Sequence, residues 1–552
     1  MTLRTALLLF CFLPFSYLAS NGSLAQQNGS GRGIEGPAEG LLGPPVEMDT
    51  DLRDLPIEVP LRQKQIKVPL RHRAFRVPPS ALPLENETPF IPRKSINQRA
   101  FKPPVLSRAD PNFDGIEFNG LIPPDTNGDV GPDHYVQVVN GGFVVFDKEG
   151  NALAGPMAFG ELFVPLGGSC SRSIDPIVNY DPLADRWIVL GFPLQEPVCI
   201  AVSKTGDPVS GGWFLYELDV GPEAFPDYPK LGVWPDAYYL STQRGFPRSG
   251  SDVYALDRDS MLNGELAGFI HFGIEFPALT LFMLPADLDG RPPKTRQGVP
   301  PPAPFARHVD GDLFGGVDRL EIFEFKADFA DPAASTFELA AELPTEPFRA
   351  VLCGDAFFAF CAEQPNGSLL ETLPAWLMWR LQYRNFNSYE TLVVNHTIAV
   401  DSDLGEGAGI RWYELRRRHG GRWAIFQQGT FAPQDPGADS FLHRWMGSIA
   451  MDKRGNIALG FSATSASVFP SVRYVGRLEK DTLGLLPRGA PPSADIVMIE
   501  GENSDFDRWG DYSSMSVDPE DGCRFWYTQE YIGADEGNWR TRIGAFRFSS
   551  CH

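Results

Sequence analysis

Apolar and polar residues alternate along most of this chain in short runs, and the dominant period is two. Val136-Gln137-Val138-Val139 and Phe143-Val144-Val145-Phe146 meet at Asn140-Gly141, a two-residue hairpin signal. Arg319-Leu320-Glu321-Ile322-Phe323-Glu324-Phe325 alternates strictly, as a half-buried strand does. Trp187 to Leu190, Asp252 to Asp257, Glu390 to His396 and Gly409 to Leu415 read as further strands. Convincing helical spacing is missing from residue 113 onward. The expected class is therefore all-β.

The strands come in repeated units. Val130, Pro132, Asp133 and Tyr135 recur as Val233, Pro235, Asp236 and Tyr238. Arg444-Trp445 leads to Ser448-Ile449-Ala450-Met451-Asp452, and Arg508-Trp509 leads to Ser514-Met515-Ser516-Val517-Asp518. Seven such units span 113–552. At about 60 residues each they exceed the ~40–45 of a compact WD-type repeat, so their loops are long. The expected architecture is a β-propeller of seven blades, each with four antiparallel strands, because a radial array leaves few exposed sheet edges. Six or eight blades stay open, since the fourth and fifth units are weakly marked.

Upstream the pattern changes. Arg4, an apolar run from Ala6 to Leu18 and Ser23-Leu24-Ala25 read as a signal peptide over 1–25. Residues 26–112 are expected to form a disordered, Pro-rich arm; Arg53 to Lys102 holds eleven Lys or Arg against four Asp or Glu. No later run is long enough for a membrane-spanning helix. Export to the medium, the periplasm or the cell surface follows, without membrane insertion and as a monomer.

Composition adds limits. The 55 glycines and 50 prolines suit a turn-rich β chain, and 43% hydrophobic residues allow a sizeable core. A net charge of −22 argues against nucleic acid as a partner. Beyond Cys11 in the leader, six cysteines remain. Pairing neighbours, Cys170 with Cys199, Cys353 with Cys361 and Cys523 with Cys551, would keep each disulfide within or beside one repeat.

The stretches Pro123-Pro-Asp-Thr-Asn-Gly-Asp-Val-Gly-Pro-Asp-His-Tyr135, Leu284-Pro-Ala-Asp-Leu-Asp-Gly290, Leu392-Val-Val-Asn-His-Thr397, Arg444 to Asp452 and Arg508 to Pro519 resemble those of an uncharacterised family of exported bacterial β-propellers. That resemblance implies the fold and no settled activity. The acidic turns after Asp181, Asp452 and Asp518 are distantly similar to the Asp-box turns of sialidase-type propellers, without their Ser-x-Asp-x-Gly-x-x-Trp spacing.

Candidate chemistry falls into three groups. Asp125, Asn127 and Asp129 alternate around a glycine turn like the first half of a calcium loop, although position 136 is Val where a closing Glu would stand. Asp287 with Asp289, and Asp401 with Asp403, are weaker cation candidates. Arg172, Lys230, Arg380, Arg444 and Arg508 stand at or before innermost strands, where converging cations would form an anion site. Asp175, Tyr383, Asp511 and Tyr512 are the candidate acids or nucleophiles, with no spacing that singles them out. The motifs for metalloproteases, α/β-hydrolases, phosphate loops and haem are missing. Two functions follow. One is a non-catalytic exported binding protein that presents long loops to a glycan or protein, with bound calcium. The alternative is a sialidase-like hydrolase with an arginine-lined central pocket.

Overall fold

A computed structural model describes residues 33–57, 66–67, 106–193, 197–221, 225–244, 250–275, 282–435, 437–489, 495–504, 507–534 and 538–552. The signal peptide and most of the basic arm lie outside these residues. The described chain is all-β, and four-stranded antiparallel ladders follow one another along it.

The first ladder is Asn127–Val130, His134–Val139, Gly142–Asp147 and Ala152–Ala158; the second is Ile174–Asp181, Arg186–Phe192, Val198–Ser203 and Trp213–Leu218. The third is Lys230–Val233, Tyr238–Gln243, Gly250–Leu256 and Gly268–Glu275; the fourth is Leu284–Asp289, Ala303–Val309, Arg319–Lys326 and Thr336–Pro344. The fifth is Met378–Phe386, Tyr389–Ser402, Gly405–Arg417 and Ala424–Phe431; the sixth is His443–Met451, Ile457–Ser465, Val468–Arg477 and Ile496–Ile499. The seventh joins Ser514–Val517, Arg524–Ile532 and Trp539–Arg547 to an upstream strand, Asn112–Glu117. The first strand of each ladder touches that of the next, and Ser514–Val517 touches Asn127–Val130.

The acidic hairpins occupy one equivalent position. Asp181, Asp236, Asp452 and Asp518 all stand between the first and second strands of their ladders. Their carboxylates cap the turn. Asp181 Oδ1 accepts from Leu183 N at 2.9 Å, Asp452 Oδ1 from Arg454 N at 2.8 Å, and Asp518 Oδ1 from Glu520 N at 3.0 Å. The turn chemistry legible in the sequence is thus turn-forming and not catalytic.

Side chains stitch neighbouring first strands together. Asn127 Oδ1 accepts from Val178 N at 2.9 Å, and Asp129 Oδ2 from Tyr180 N at 2.8 Å. Asp287 Oδ1 accepts from Val233 N at 3.0 Å, Gln382 Oε1 from Met451 N at 2.6 Å, and Ser448 Oγ from Met515 N at 2.9 Å. Between the fourth and fifth ladders the backbones pair directly and in parallel, with Ala286 opposite Leu381 and Asp289 opposite Arg384. Further out, aromatic pairs fill the space between ladders. Phe143–Trp213, Tyr239–Phe305, Phe431–Phe461 and Tyr474–Phe546 have centroids 6.4, 5.9, 5.6 and 3.9 Å apart. Tyr135 stacks on Trp526 at 5.2 Å, joining the first ladder to the last. Each such pair contributes about 0.5–1.5 kcal/mol beyond its buried area.

The described part of the arm departs from the expectation of disorder. Ile34–Leu41 adds antiparallel to Gly268–Glu275, and Val46–Met48 adds to Trp213–Leu218. Ile57 bridges Met157. Leu42, Met48 and Leu52 are buried, and Lys204 holds both Glu47 and Asp49 at 2.6 Å. Pro37 does not prevent this, because an edge strand leaves one row of N–H groups unpaired and the register shifts between Glu35 and Ala38. Proline excludes a strand from the centre of a sheet and leaves the edge open to it.

The fourth and fifth ladders meet at two buried histidines. His308 and His396 stack with centroids 4.4 Å apart, and His396 Nε2 meets Tyr413 Oη at 3.1 Å. Near-parallel stacked rings cannot aim their in-plane lone pairs at one ion, so the pair is core. Burial, with the Arg307 charge adding to it, lowers His308 from 6.5 to about 3. The unfolded chain then binds a proton below pH 6.5 that the folded chain refuses. Stability is complete above 6.5 and is lost as pH falls, by about 1.4 kcal/mol per unit for one histidine. Denaturant melts at several pH values should show this slope. His308→Phe should flatten it by about one proton's worth, and an unchanged slope in that variant would refute the assignment.

The disulfides form between neighbours as expected. Their Cα–Cα distances are 5.8 Å for Cys170–Cys199, 5.7 Å for Cys353–Cys361 and 5.5 Å for Cys523–Cys551. Among the described residues, no helix is long and apolar enough to cross a membrane.

Candidate functional site

One cluster of ionisable side chains gathers where the chain enters the first strands. Asp125 and Asp175 there have φ of 47° and 49°, and Tyr228 has φ of 54°. Aspartate tolerates this left-handed region, but a tyrosine in it is held by its surroundings. These turns swing Asp125, Asp175, Asp227 and Asp511 toward one another around Lys230.

Asp125 is tied on both oxygens. Oδ1 accepts from Asp511 N at 2.7 Å and Oδ2 from Asn140 Nδ2 at 2.6 Å, while Asn140 Oδ1 accepts from Asp175 N at 2.7 Å. Burial raises Asp175 well above the usual carboxylate range, the charges of Asp125, Asp227 and Asp511 add to it, and a hydrogen bond with Asp125 holds the proton. Burial lowers the Lys230 ammonium, and the four aspartates only partly restore it. Lys230 Nζ lies 3.5 Å from the Tyr228 ring centroid and 3.9 Å from that of Tyr512. Arg508 pairs with Glu371 and, at 2.5 Å, with Asp511. Trp509 N also donates to Glu371 Oε1 at 2.9 Å.

A narrow opening with room for about one water molecule leads to this cluster. Asp227 and Asp511 line it beside Tyr228, Phe282, Phe357, Phe358, Leu373 and Trp376. Trp376 packs 4.5 Å from Phe282, 5.2 Å from Phe357 and 5.4 Å from Tyr228. Tyr228 Oη and Trp376 Nε1 are buried polar neighbours turned toward one another.

Of the residues singled out from the sequence, Asp125, Asp175, Lys230, Arg508, Asp511 and Tyr512 meet here. The others do not. Arg172 is exposed on the short turn Cys170–Arg172. Arg444 is fully buried against Asp495, with Nη1 donating to Pro433 O at 2.7 Å. Arg380 lies in a separate layer, paired with Asp287 and with Asp289 at 3.2 Å. Tyr383 packs edge-on against Trp234 at 4.6 Å. The expected convergence of arginines on an anion therefore does not form, because each of these buried arginines already has a partner.

The calcium expectation is also revised. Asn127 and Asp129 alternate along a strand and Asp125 stands in the left-handed turn before it, and each gives an oxygen to a backbone N–H, of Val178, Tyr180 and Asp511 in turn. Ligands spread along a strand cannot surround one ion. Asp287 and Asp289 serve Arg380, and Asp401 pairs with Arg349 at 2.9 Å. Cys353, Cys361 and Glu406 lie close together, but their sulfurs are joined in a disulfide.

Asp227, Tyr228, Glu371 and Trp376 were missed. A signal existed for one of them: Asp227-Tyr228 and Asp511-Tyr512 each stand three residues before a first strand. Glu371 and Trp376 come from the long segment before the fifth ladder, which carries no repeat to align.

No family model matches the chain, and no curated protein matches it. Solved structures align weakly. A mutant of AofleA from Arthrobotrys oligospora aligns at TM-score 0.34 and 14% identity, over 69% of this chain and 85% of that one. Trypanosoma rangeli sialidase with sialic acid gives 0.31 and 10%, over 68% and 54%. The catalytic domain of Coprinopsis cinerea GH62 α-L-arabinofuranosidase gives 0.27 and 11%, over 69% and 92%. Scores of this size match strands without fixing an architecture, so the description of the fold stands on the strand pairing alone.

Proposed function

We propose that this chain is an exported seven-bladed β-propeller that binds an extracellular glycan at the acidic, aromatic cleft. The observation that carries the reading is the cleft wall. Carboxylates at Asp227 and Asp511 stand beside the rings of Tyr228, Trp376 and Phe357. Sugar hydroxyls donate to carboxylates and sugar faces lie on aromatic rings, so such a wall suits a glycan. Three disulfides suit an oxidising compartment outside the cell.

The test is a glycan array followed by titration calorimetry on any hit. Asp227→Asn is expected to weaken binding roughly tenfold, the value of one charge-assisted hydrogen bond. An unchanged affinity would place the ligand elsewhere.

A second reading, hydrolysis, draws on Asp175. A carboxyl kept protonated by burial next to ionised carboxylates supplies acid and base in one cluster. Turnover of a bound glycan by the native protein, lost in Asp175→Asn, would establish it. Glycan binding without turnover would leave the protein a binding module.

A further inference from the structure

The opening at the acidic cluster admits about one water molecule, so any larger ligand requires one of its walls to move. One wall is a short loop closed by a disulfide, Cys353-Gly-Asp-Ala-Phe-Phe-Ala-Phe-Cys361. Its Phe357 and Phe358 stand beside Asp227 and Asp511 in the opening, and the Phe357 ring lies 5.2 Å from Trp376.

Three features set this loop apart. Cys353 is exposed, whereas Cys170, Cys199, Cys523 and Cys551 of the other disulfides are each 0% exposed. Cys353 and Ala359 have φ of 50° and 48°, a region that residues with a Cβ keep only when their surroundings hold them there. The two halves of the loop are also fastened differently. Phe358 O accepts from Thr372 N at 2.9 Å and Cys361 N donates to Leu370 O at 3.0 Å, which ties the second half to the following segment. In the first half, Leu352 and Asp355 exchange backbone bonds at 2.9 and 3.0 Å, and Phe357 N donates to Asp355 Oδ1 at 2.8 Å. The disulfide and a bond from Cys353 N to Glu406 Oε1 at 2.5 Å fasten that half outward.

We propose that the Cys353–Cys361 disulfide is a redox latch, and that its reduction by an external dithiol frees residues 353–357 and opens the way to Asp227 and Asp511. A thiolate of the dithiol attacks Cys353 Sγ, the Sγ–Sγ bond breaks, and Cys361 leaves as a thiolate that takes up a proton. The second thiol of the reductant attacks the mixed disulfide, releases Cys353 as a thiol and closes the reductant's own disulfide. Two electrons and two protons pass to the chain. Exposed disulfides are the ones such reductants reach first. Glu406 lies beside the sulfurs, but Arg349 Nη1 balances its charge at 3.0 Å, so an approaching thiolate is not repelled. Once the bond is open, Cys353 is released from the left-handed region, Gly354 at φ 79° serves as the pivot, and Phe357 moves off Trp376. The latch governs access and holds whatever ligand the cluster takes.

The experiment treats the native full chain with increasing dithiothreitol, blocks new thiols with a maleimide and maps them by peptide mass spectrometry. Hydrogen exchange and acrylamide quenching are followed on the same samples. Low dithiothreitol is expected to label Cys353 and Cys361 alone and to raise exchange over residues 353–358 roughly tenfold, with the ladders unchanged. Trp376 should become open to acrylamide, a gain in quenching that Trp376→Phe lacks. Reoxidation should reverse both changes, and Cys353→Ser with Cys361→Ser should show them without reductant. Labelling of all three disulfides together, or of none before the ladders unfold, overturns the latch. Selective opening of this bond with exchange and quenching unchanged also overturns it, because the loop then holds itself closed.

Discussion

Replacing Arg380 by methionine is expected to destabilise the fold by about 3–5 kcal/mol, the range for breaking a buried ion pair from one side. The guanidinium is 2% exposed by residue and bonds Asp287 and Asp289, and Asp129 lies within its field. Burial already pushes Asp129 up to about 7 despite that positive charge. Without it, Asp287 and Asp289 face one another in a dry layer where Arg384, beside Asp289, is the positive charge that remains. They would bind protons instead, and this sets the sign of the pH dependence. A carboxyl whose folded pKa is raised keeps its contribution below that pKa and loses it as pH rises. The variant should therefore lie closer to the native protein at pH 5 than at pH 8. Adding Asp287→Asn should recover part of the loss, and urea melts of the four proteins of the double-mutant cycle measure the coupling. Additive effects, or a deficit independent of pH, would show that Arg380 stabilises by packing alone.

Beginning the chain at residue 118 is expected to abolish cooperative folding, while beginning it at residue 104 should preserve it. The difference, residues 104–117, includes buried Leu106, which bridges Phe548, and Asn112–Glu117, which supplies the outer strand of the seventh ladder, with Phe113 opposite Ile543 and Asp114 opposite Arg542. This strand also reaches the first ladder. Ile116 N donates to Gln137 Oε1 at 2.8 Å, and Gln137 Nε2 donates to Thr528 Oγ1 at 2.8 Å. Thr541 Oγ1 donates to Ile116 O at 2.7 Å. Losing it uncovers Ile543 and Phe546 along a nine-residue edge, Trp539–Arg547, which invites pairing between molecules. The loss should equal or exceed about 5 kcal/mol, the lower end of typical net stability. Soluble yield and thermal melts of the two shortened chains decide it. Melting points within a few degrees of each other would refute the closing role.

Much of the fold was legible because its signals are local. Val136 to Phe146 announces a hairpin by itself, and Asp181, Asp452 and Asp518 mark turns through bonds to N–H groups two residues away. The cysteine pairing was legible for the same reason, since each pair spans fewer than about thirty residues. The site was half legible. Asp511, Lys230 and Arg508 drew notice by their place before first strands. Glu371 did not, because its role depends on Arg508, 137 residues away. Spacing also misled. Asp125, Asn127 and Asp129 have the alternation of a metal loop, but Asn127 and Asp129 aim their oxygens at the neighbouring strand and Asp125, in the turn before them, gives its own to Asp511 N and Asn140.

The pairing of Asn112–Glu117 with Trp539–Arg547 has a kinetic consequence. Synthesis delivers one partner more than four hundred residues before the other. The early strand must wait, its hydrogen-bonding edge unanswered, until that long stretch has been made. The final step of maturation is then a very long loop closure, a class of event that is slow. Passage through a translocation channel as unfolded chain is compatible with that delay.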